Sequence, residues 1–252
     1  MTIKTLSIGD LHGLDVWRKA LFGEIYDMDN FDKIIFVGDY VDSFYITPIE
    51  QIHNLRLLIE LKKKYPDKII LLYGNHDIQY SHYPNYRCSG FQQRNHLDYM
   101  KLFQDNLDLF QMSYQIDNTL WSHAGVHIAW YNEYIKEYHD NNPEMTLSNI
   151  LNNDFDNQKS YMFNIGKMRS GFSDVGGPLW LDRRQLWNKP LPGYHQIVGH
   201  TKITYDNRKY RIGKKHPKLI RHFDIERINA SLTCIDVLTE SNPEFYTKEF
   251  EI

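Results

Sequence analysis

Three short strings set metal-binding side chains at the ends of apolar runs: Gly9-Asp10-Leu11-His12-Gly13, Gly38-Asp39-Tyr40-Val41-Asp42 and Gly74-Asn75-His76-Asp77. Two more histidines stand the same way, in Ser122-His123-Ala124-Gly125 and Val198-Gly199-His200-Thr201. Carboxylates, imidazoles and an amide oxygen, with no thiolate among them, suit hard or borderline divalent ions, so manganese, iron and zinc are all admissible. Taken singly, Asp10, Asp39 or Asp42 reads as a helix cap or turn residue. His123 or His200 alone reads as a hydrogen-bonded histidine at a strand end. Five such strings in order, each after an apolar run, make convergence on one metal site the better reading.

Such convergence needs a sheet whose strand ends share one edge. Residues 3–8, 33–37 and 68–73 are strand candidates, the latter two, KIIFV and KIILLY, reading as apolar runs of the kind buried on both faces by helices. Between them, 16–25 and 49–65 carry helical spacing, with Ile52, Leu55, Leu58 and Ile59 in one stripe and Pro48 and Pro66 at the ends. In open α/β sheets the ligand crevice lies at the carboxyl ends of the strands, where all three strings fall. Further helices are expected over 91–110, 128–138 and 147–168. The last part reads as a β-meander over 196–198, 219–224, 231–238 and 245–250, with a final hairpin turn at Asn242-Pro243. The expectation is an α/β fold of two packed mixed sheets flanked by helices, a single domain over 1–252, with 78–175 as a helical cap.

The 252 residues, 42% apolar and 24% charged, describe an ordinary globular chain. A net charge of -3 lacks the basic excess of polyanion binders, so nucleic acid is not a favoured partner. No leader pattern and no apolar run near the roughly 20 residues of a membrane span is seen, which points to a cytoplasmic protein without membrane attachment. Cys88 and Cys234 are too far apart for a metal-type pair and read as packing residues. The basic cluster Arg208, Lys209, Arg211, Lys214, Lys215, Lys218 and Arg221 reads as a solvated hairpin before an anion site. Tyr80, Tyr83, Tyr86 and Phe91 read as core or cap packing before a substrate wall.

The ordered strings GDLHG, GDYVD, GNHD, SHAG and VGH resemble the calcineurin-like metallophosphoesterases, especially the PPP-type serine/threonine phosphatases and the symmetrical diadenosine tetraphosphatases. The resemblance implies two divalent ions, one held by Asp10, His12 and Asp39, the other by Asn75, His123 and His200, with Asp39 bridging. It implies in-line attack by a hydroxide bridging the metals, with His76 as the general acid and Asp42 as the carboxylate that orients it. The implied substrate is a phosphomonoester on a phosphoprotein, nucleotide or other small molecule.

Where the PPP block continues with arginine and glycine, Ser43 and Phe44 stand here, and Asp77 replaces the usual glutamate. A hydroxyl does not replace a bidentate guanidinium on phosphate. Arg183 in Trp180-Leu181-Asp182-Arg183-Arg184, similar to a W-x-R-R element of bacterial relatives, is the candidate substitute, then Arg184, then Arg169. Arg183 also reads as one half of a surface ion pair. Two other readings stay open: a hydrolase of dinucleoside polyphosphates or nucleic-acid ends, and a phosphate-binding scaffold without chemistry.

Overall fold

The computed structural model describes residues 2–23, 25–201, 220–225, 229–235 and 245–251, the span 220–225 by its backbone. The chain opens with β1 (Thr2–Ile8), α1 (Trp17–Leu21), β2 (Lys33–Phe36), α2 (Pro48–Lys64), β3 (Ile69–Leu72) and α3 (Asn75–Ser81). It continues through α4 (His96–Gln104), β4 (Phe110–Gln111), β5 (Ser113–Ile116), β6 (Thr119–Ser122), α5 (Ile128–Tyr134), α6 (Lys136–Asn141) and α7 (Leu147–Asp156). Last come α8 (Arg183–Asn188), β7 (His195–Val198), β8 (Ile220–Ile225), β9 (Ala230–Ile235) and β10 (Tyr246–Glu251).

Among the described residues two five-stranded sheets form, in the orders β10-β1-β2-β3-β4 and β5-β6-β7-β9-β8. Strands β1 to β4 pair in parallel, as do β6, β7 and β9. The alternation of the strand explains how continuous apolar runs serve two layers. Ile34, Phe36, Ile69 and Leu71 face the helical side, whereas Ile35, Val37, Ile70 and Leu72 face Trp121, Ile197 and Ile235 of the second sheet. The Trp121 indole N–H donates across that interface to the Ser7 hydroxyl at 2.8 Å. Helix α2 is fixed at its start by a capping box between Thr47 and Glu50, with Pro48 in its first turn.

Two expectations need correction. The closing strands are not a meander, because β6, β7 and β9 run parallel and β10 leaves β9 to pair antiparallel with β1 in the other sheet. The expected hairpin at Asn242-Pro243 therefore does not join β9 to β10, and the turn itself lies outside the described residues. Within 78–175, the expected cap region, β4, β5 and β6 belong to the sheets, with α4 before them and α5 to α7 after. Residues 208–219 of the basic cluster lie outside the described residues.

Candidate metal centre

The loops after β1, β2, β3, β6 and β7 meet at one edge and are laced together by main-chain bonds. The Asp39 carbonyl accepts from the N–H groups of Leu11 at 3.0 Å and His12 at 2.8 Å, and the Gly199 N–H donates to the His123 carbonyl at 2.9 Å. His12, Asp39, Asp42 and His200 all hold positive φ, between 44° and 71°. Left-handed backbone is costly for such residues, and its concentration at one place is a mark of function that the sequence strings do not carry. Glycine is required beside the carboxylates: a Cβ at Gly74 would stand 2.2 Å from Asp39 Oδ1, and one at Gly199 would stand 2.1 Å from Asp10 Oδ1.

Among the described residues two donor groups share Asp39: Asp10 with His12 and Asp39, and Asp39 with His123 and His200; a third, Asp42 with His76 and Cys88, lies beside them. Asp39 Oδ2 lies 3.9 Å from His12 Nε2 and 3.3 Å from His123 Nε2, so one oxygen faces both groups. Asn75 Oδ1 joins the second group at 3.0 Å from His123 Nε2 and 2.7 Å from His200 Nδ1. The two imidazole nitrogens stand 3.1 Å apart. The ring tautomers fit a cation: His123 Nδ1 lies 2.8 Å from the Val37 carbonyl and His12 Nδ1 lies 3.0 Å from the Val41 carbonyl. Those carbonyls take the Nδ1 hydrogens, which leaves each Nε2 with a lone pair aimed into the cluster. Four acceptor atoms crowded within about 3 Å repel one another unless positive charge lies between them, so the residues present fit a divalent ion.

The charges of the cluster have the same sense. Burial disfavours charge on His123, yet Asp39 and Asp10 outweigh it and raise the ring to about 9. Burial also opposes ionisation of Asp39, but His123, His76 and His12 hold it well below the usual carboxylate range. Burial raises Asp10 to about 6.

Beside this cluster His76 Nδ1 lies 2.9 Å from Asp42 Oδ2, and the His76 N–H donates to Asp39 Oδ1 at 2.9 Å. The His76 ring meets His12 edge to face at 5.1 Å. Burial works against a proton on His76, but Asp39, Asp42 and Cys88 raise it well above the ordinary histidine value. The ring is thus poised to hold a proton next to the donor groups.

A family model, calcineurin-like phosphoesterase, matches residues 3–228. The chain belongs to the calcineurin-like phosphoesterases. Among curated proteins it is 40% identical to the serine/threonine-protein phosphatase SIT4 of Candida albicans over 74 residues, 27% of this chain and 22% of the relative. A Schizosaccharomyces pombe protein whose name puts it in the same class is 31% identical over 126 residues, 47% of this chain and 38% of the relative. The matches thus span well under half of those relatives. Among solved structures, a cold-active protein-tyrosine phosphatase of a psychrophilic Shewanella is similar in fold, at 17% identity and a TM-score of 0.51, over 91% of this chain and 70% of that one.

Against this family pattern the arginines stand as follows. Arg184 is exposed, with 68% of its side chain in solvent, and pairs with Asp182 at 3.0 Å. Arg183 is half-buried, and among the described residues its Nη1 has no hydrogen-bond partner. Arg169, third among the sequence candidates, is the one tied to the donor groups. Its Nη2 donates to Thr201 Oγ1 at 2.5 Å, beside His200, and its Nε lies 3.3 Å from Asp182.

Sequence reasoning missed the residues that hold the loops. The Asp77 carboxylate accepts from the N–H groups of Asp39 at 2.8 Å, Tyr40 at 2.9 Å and Gly74 at 2.7 Å, which ties the second loop to the third. Asp42 is held by Gln79 and by the Tyr80 hydroxyl at 2.5 Å, both from α3. Tyr80 is stacked on Tyr99 at 4.8 Å and Phe91 at 5.1 Å, so the expected packing role comes with a polar one. Cys88 is more than a packing residue, with Sγ 3.6 Å from His76 Nδ1. Asp77 was in the third string but carried no role there, and the signal for Gln79, Tyr80 and Cys88 was closeness in sequence to that string.

Proposed function

We propose that this chain hydrolyses phosphate monoesters at a two-ion site, with the substrate on a phosphoprotein, nucleotide or other small molecule. The observation that carries the reading is the pair of donor groups sharing Asp39, next to the His76–Asp42 pair. Asp10, His12 and Asp39 would hold one divalent ion, and Asp39, Asn75, His123 and His200 the other. Manganese or iron suits these oxygen and nitrogen donors, and zinc is chemically acceptable. Bound ions supply Lewis-acid charge to the phosphoryl group and an activated water.

In this reading the chain's own groups do the rest. His76 gives its Nε2 proton to the departing oxygen, and Asp42 keeps the ring oriented through Nδ1. Arg169 is the proposed cation for the phosphoryl oxygens, with Arg183 and Arg184 behind it. Among the described residues no helix is long and apolar enough to cross a membrane; a cytoplasmic setting is part of the proposal.

The test is hydrolysis of para-nitrophenyl phosphate by chelator-stripped protein after manganese, iron, zinc or magnesium is added back, with Asp39→Asn alongside. Metal-dependent turnover absent from the variant is expected. Silence with every metal, despite two bound ions, would overturn the monoesterase.

A further inference from the structure

The third donor group, Asp42 with His76 and Cys88, differs in chemistry from the other two, because among the described residues it is the one with a thiol. Cys88 Sγ lies 3.6 Å from His76 Nδ1, and that nitrogen lies 2.9 Å from Asp42 Oδ2. In a tetrahedral zinc site, bonds of about 2.3 Å to sulfur and about 2.1 Å to nitrogen and oxygen set sulfur and nitrogen about 3.6 Å apart, and nitrogen and oxygen about 3.4 Å apart. The first separation is met as it stands. The second asks Asp42 and His76 to part by about 0.5 Å, which follows when an ion takes the place of the hydrogen between them.

One side chain holds two of the donors from behind. Gln79 Nε2 donates to Asp42 Oδ2, and Gln79 Oε1 accepts the Cys88 N–H at 3.1 Å. The Tyr80 hydroxyl donates to the other Asp42 oxygen at 2.5 Å. Outer contacts of this kind set ligands in place before an ion arrives. The Asp42 side chain is closed to water, whereas that of His76 keeps 15% of its surface exposed and Cys88 is half-buried. An ion therefore enters from the side of the ring and the thiol, where solvent supplies the fourth ligand.

The geometry points to a third cation site, Asp42–His76–Cys88, that takes zinc in preference to manganese and blocks the general acid. A thiolate favours zinc over harder ions, and ligation sends the thiol proton and the Nδ1 proton to solvent. With zinc on Nδ1 the ring loses its hydrogen bond to Asp42. The proton left on Nε2 then belongs to a neutral, metal-bound imidazole, a far weaker acid than the imidazolium. Binding stands on the donors alone, and the inhibition rests on the monoesterase reading, with His76 as its acid.

Cobalt reads the site, because a thiolate ligand gives cobalt a charge-transfer band in the near ultraviolet that nitrogen and oxygen donors do not. Manganese-loaded wild type titrated with cobalt in the absence of oxygen should develop the band, and excess zinc should abolish it. Cys88→Ser and Cys88→Ala should not show it. No band in wild type, a band that survives excess zinc, or one that persists in either variant overturns the site.

The leaving group reads the inhibition. Zinc should lower the kcat/KM of manganese-loaded wild type for ethyl phosphate about 10-fold or more beyond its effect on para-nitrophenyl phosphate, whose phenolate departs without an acid. Cys88→Ser, compared with its own zinc-free rates, should lose that difference. Equal inhibition of the two esters would put zinc in the other donor groups and overturn the inhibitory role. No turnover of either ester before zinc is added overturns the monoesterase reading, while the cobalt band still decides the site.

Discussion

His123 Nε2 stands 3.0 Å from Asn75 Oδ1 while the other nitrogen of the ring lies against the Val37 carbonyl at 2.8 Å. The Asn75 amide is oriented by Cys88, whose sulfur lies 3.7 Å from Nδ2, so it is oxygen that faces the imidazole. In the neutral ring two lone pairs then oppose each other. A proton supplies the missing charge in the ion-free protein, where Asp39 and Asp10 overcome burial and hold His123 at about 9. A metal ion must displace that proton. Manganese binding is expected to release protons at neutral pH and to tighten as pH rises toward 9. Calorimetry in buffers of different ionisation heat reads this directly, and heats independent of buffer would rule the exchange out.

The donors and the acid should separate on substitution. Asp39→Asn removes the oxygen that faces His12 and His123 and is expected to lose both metal uptake and turnover. His76→Ala keeps every donor, so metal content should persist while turnover falls about 100- to 10,000-fold with alkyl esters. With para-nitrophenolate, which departs without help, the loss should be much smaller. Equal metal loss in both variants would remove the division of roles.

Arg169 and Arg184 both contact Asp182, but only Arg169 also reaches Thr201. A charged hydrogen bond to phosphate is worth roughly 1.5–3 kcal/mol, or about 10- to 100-fold. Arg169→Ala is expected to lower kcat/KM by that factor, and Arg184→Ala to change it less than twofold. Steady-state kinetics on one substrate settles the order, and the reverse ranking would return the role to the Trp180–Arg184 segment.

How much of this the sequence carried depends on the range of each interaction. The strings around Asp10, Asp39 and Asn75 were legible because strand, glycine and polar residues are local neighbours, and the parallel strands at 33–37 and 68–73 followed from their unbroken apolar runs. The path of β10 was not legible. Pairing with β1 joins residues at opposite ends of the chain, and alternation in 245–250 is satisfied equally by either sheet edge. The support of Asp42 by Gln79 and Tyr80 was hidden for another reason, since α3 has to bury those side chains before they point at the loop. Arg169 ranked third because W-x-R-R is a recognisable string, whereas its own contact with Thr201 spans 32 positions.

His127 gives a prediction independent of the site chemistry. Its Nδ1 accepts the Ala129 N–H at 3.0 Å and caps α5, and burial, with Lys189 nearby, lowers the ring to about 4 from its ordinary 6.5. The cap needs the neutral ring. Because the folded value is below the unfolded one, the unfolded chain binds more protons between them, so this stability is complete above about 6.5 and drains away as pH falls toward 4. His127→Asn keeps a capping acceptor and removes the titration, whereas His127→Ala removes the cap at a cost of about 1 kcal/mol. Denaturant midpoints of His127→Asn should therefore fall less than those of wild type across that window. Parallel curves for the two proteins would mean that His127 titrates alike in the folded and unfolded chain.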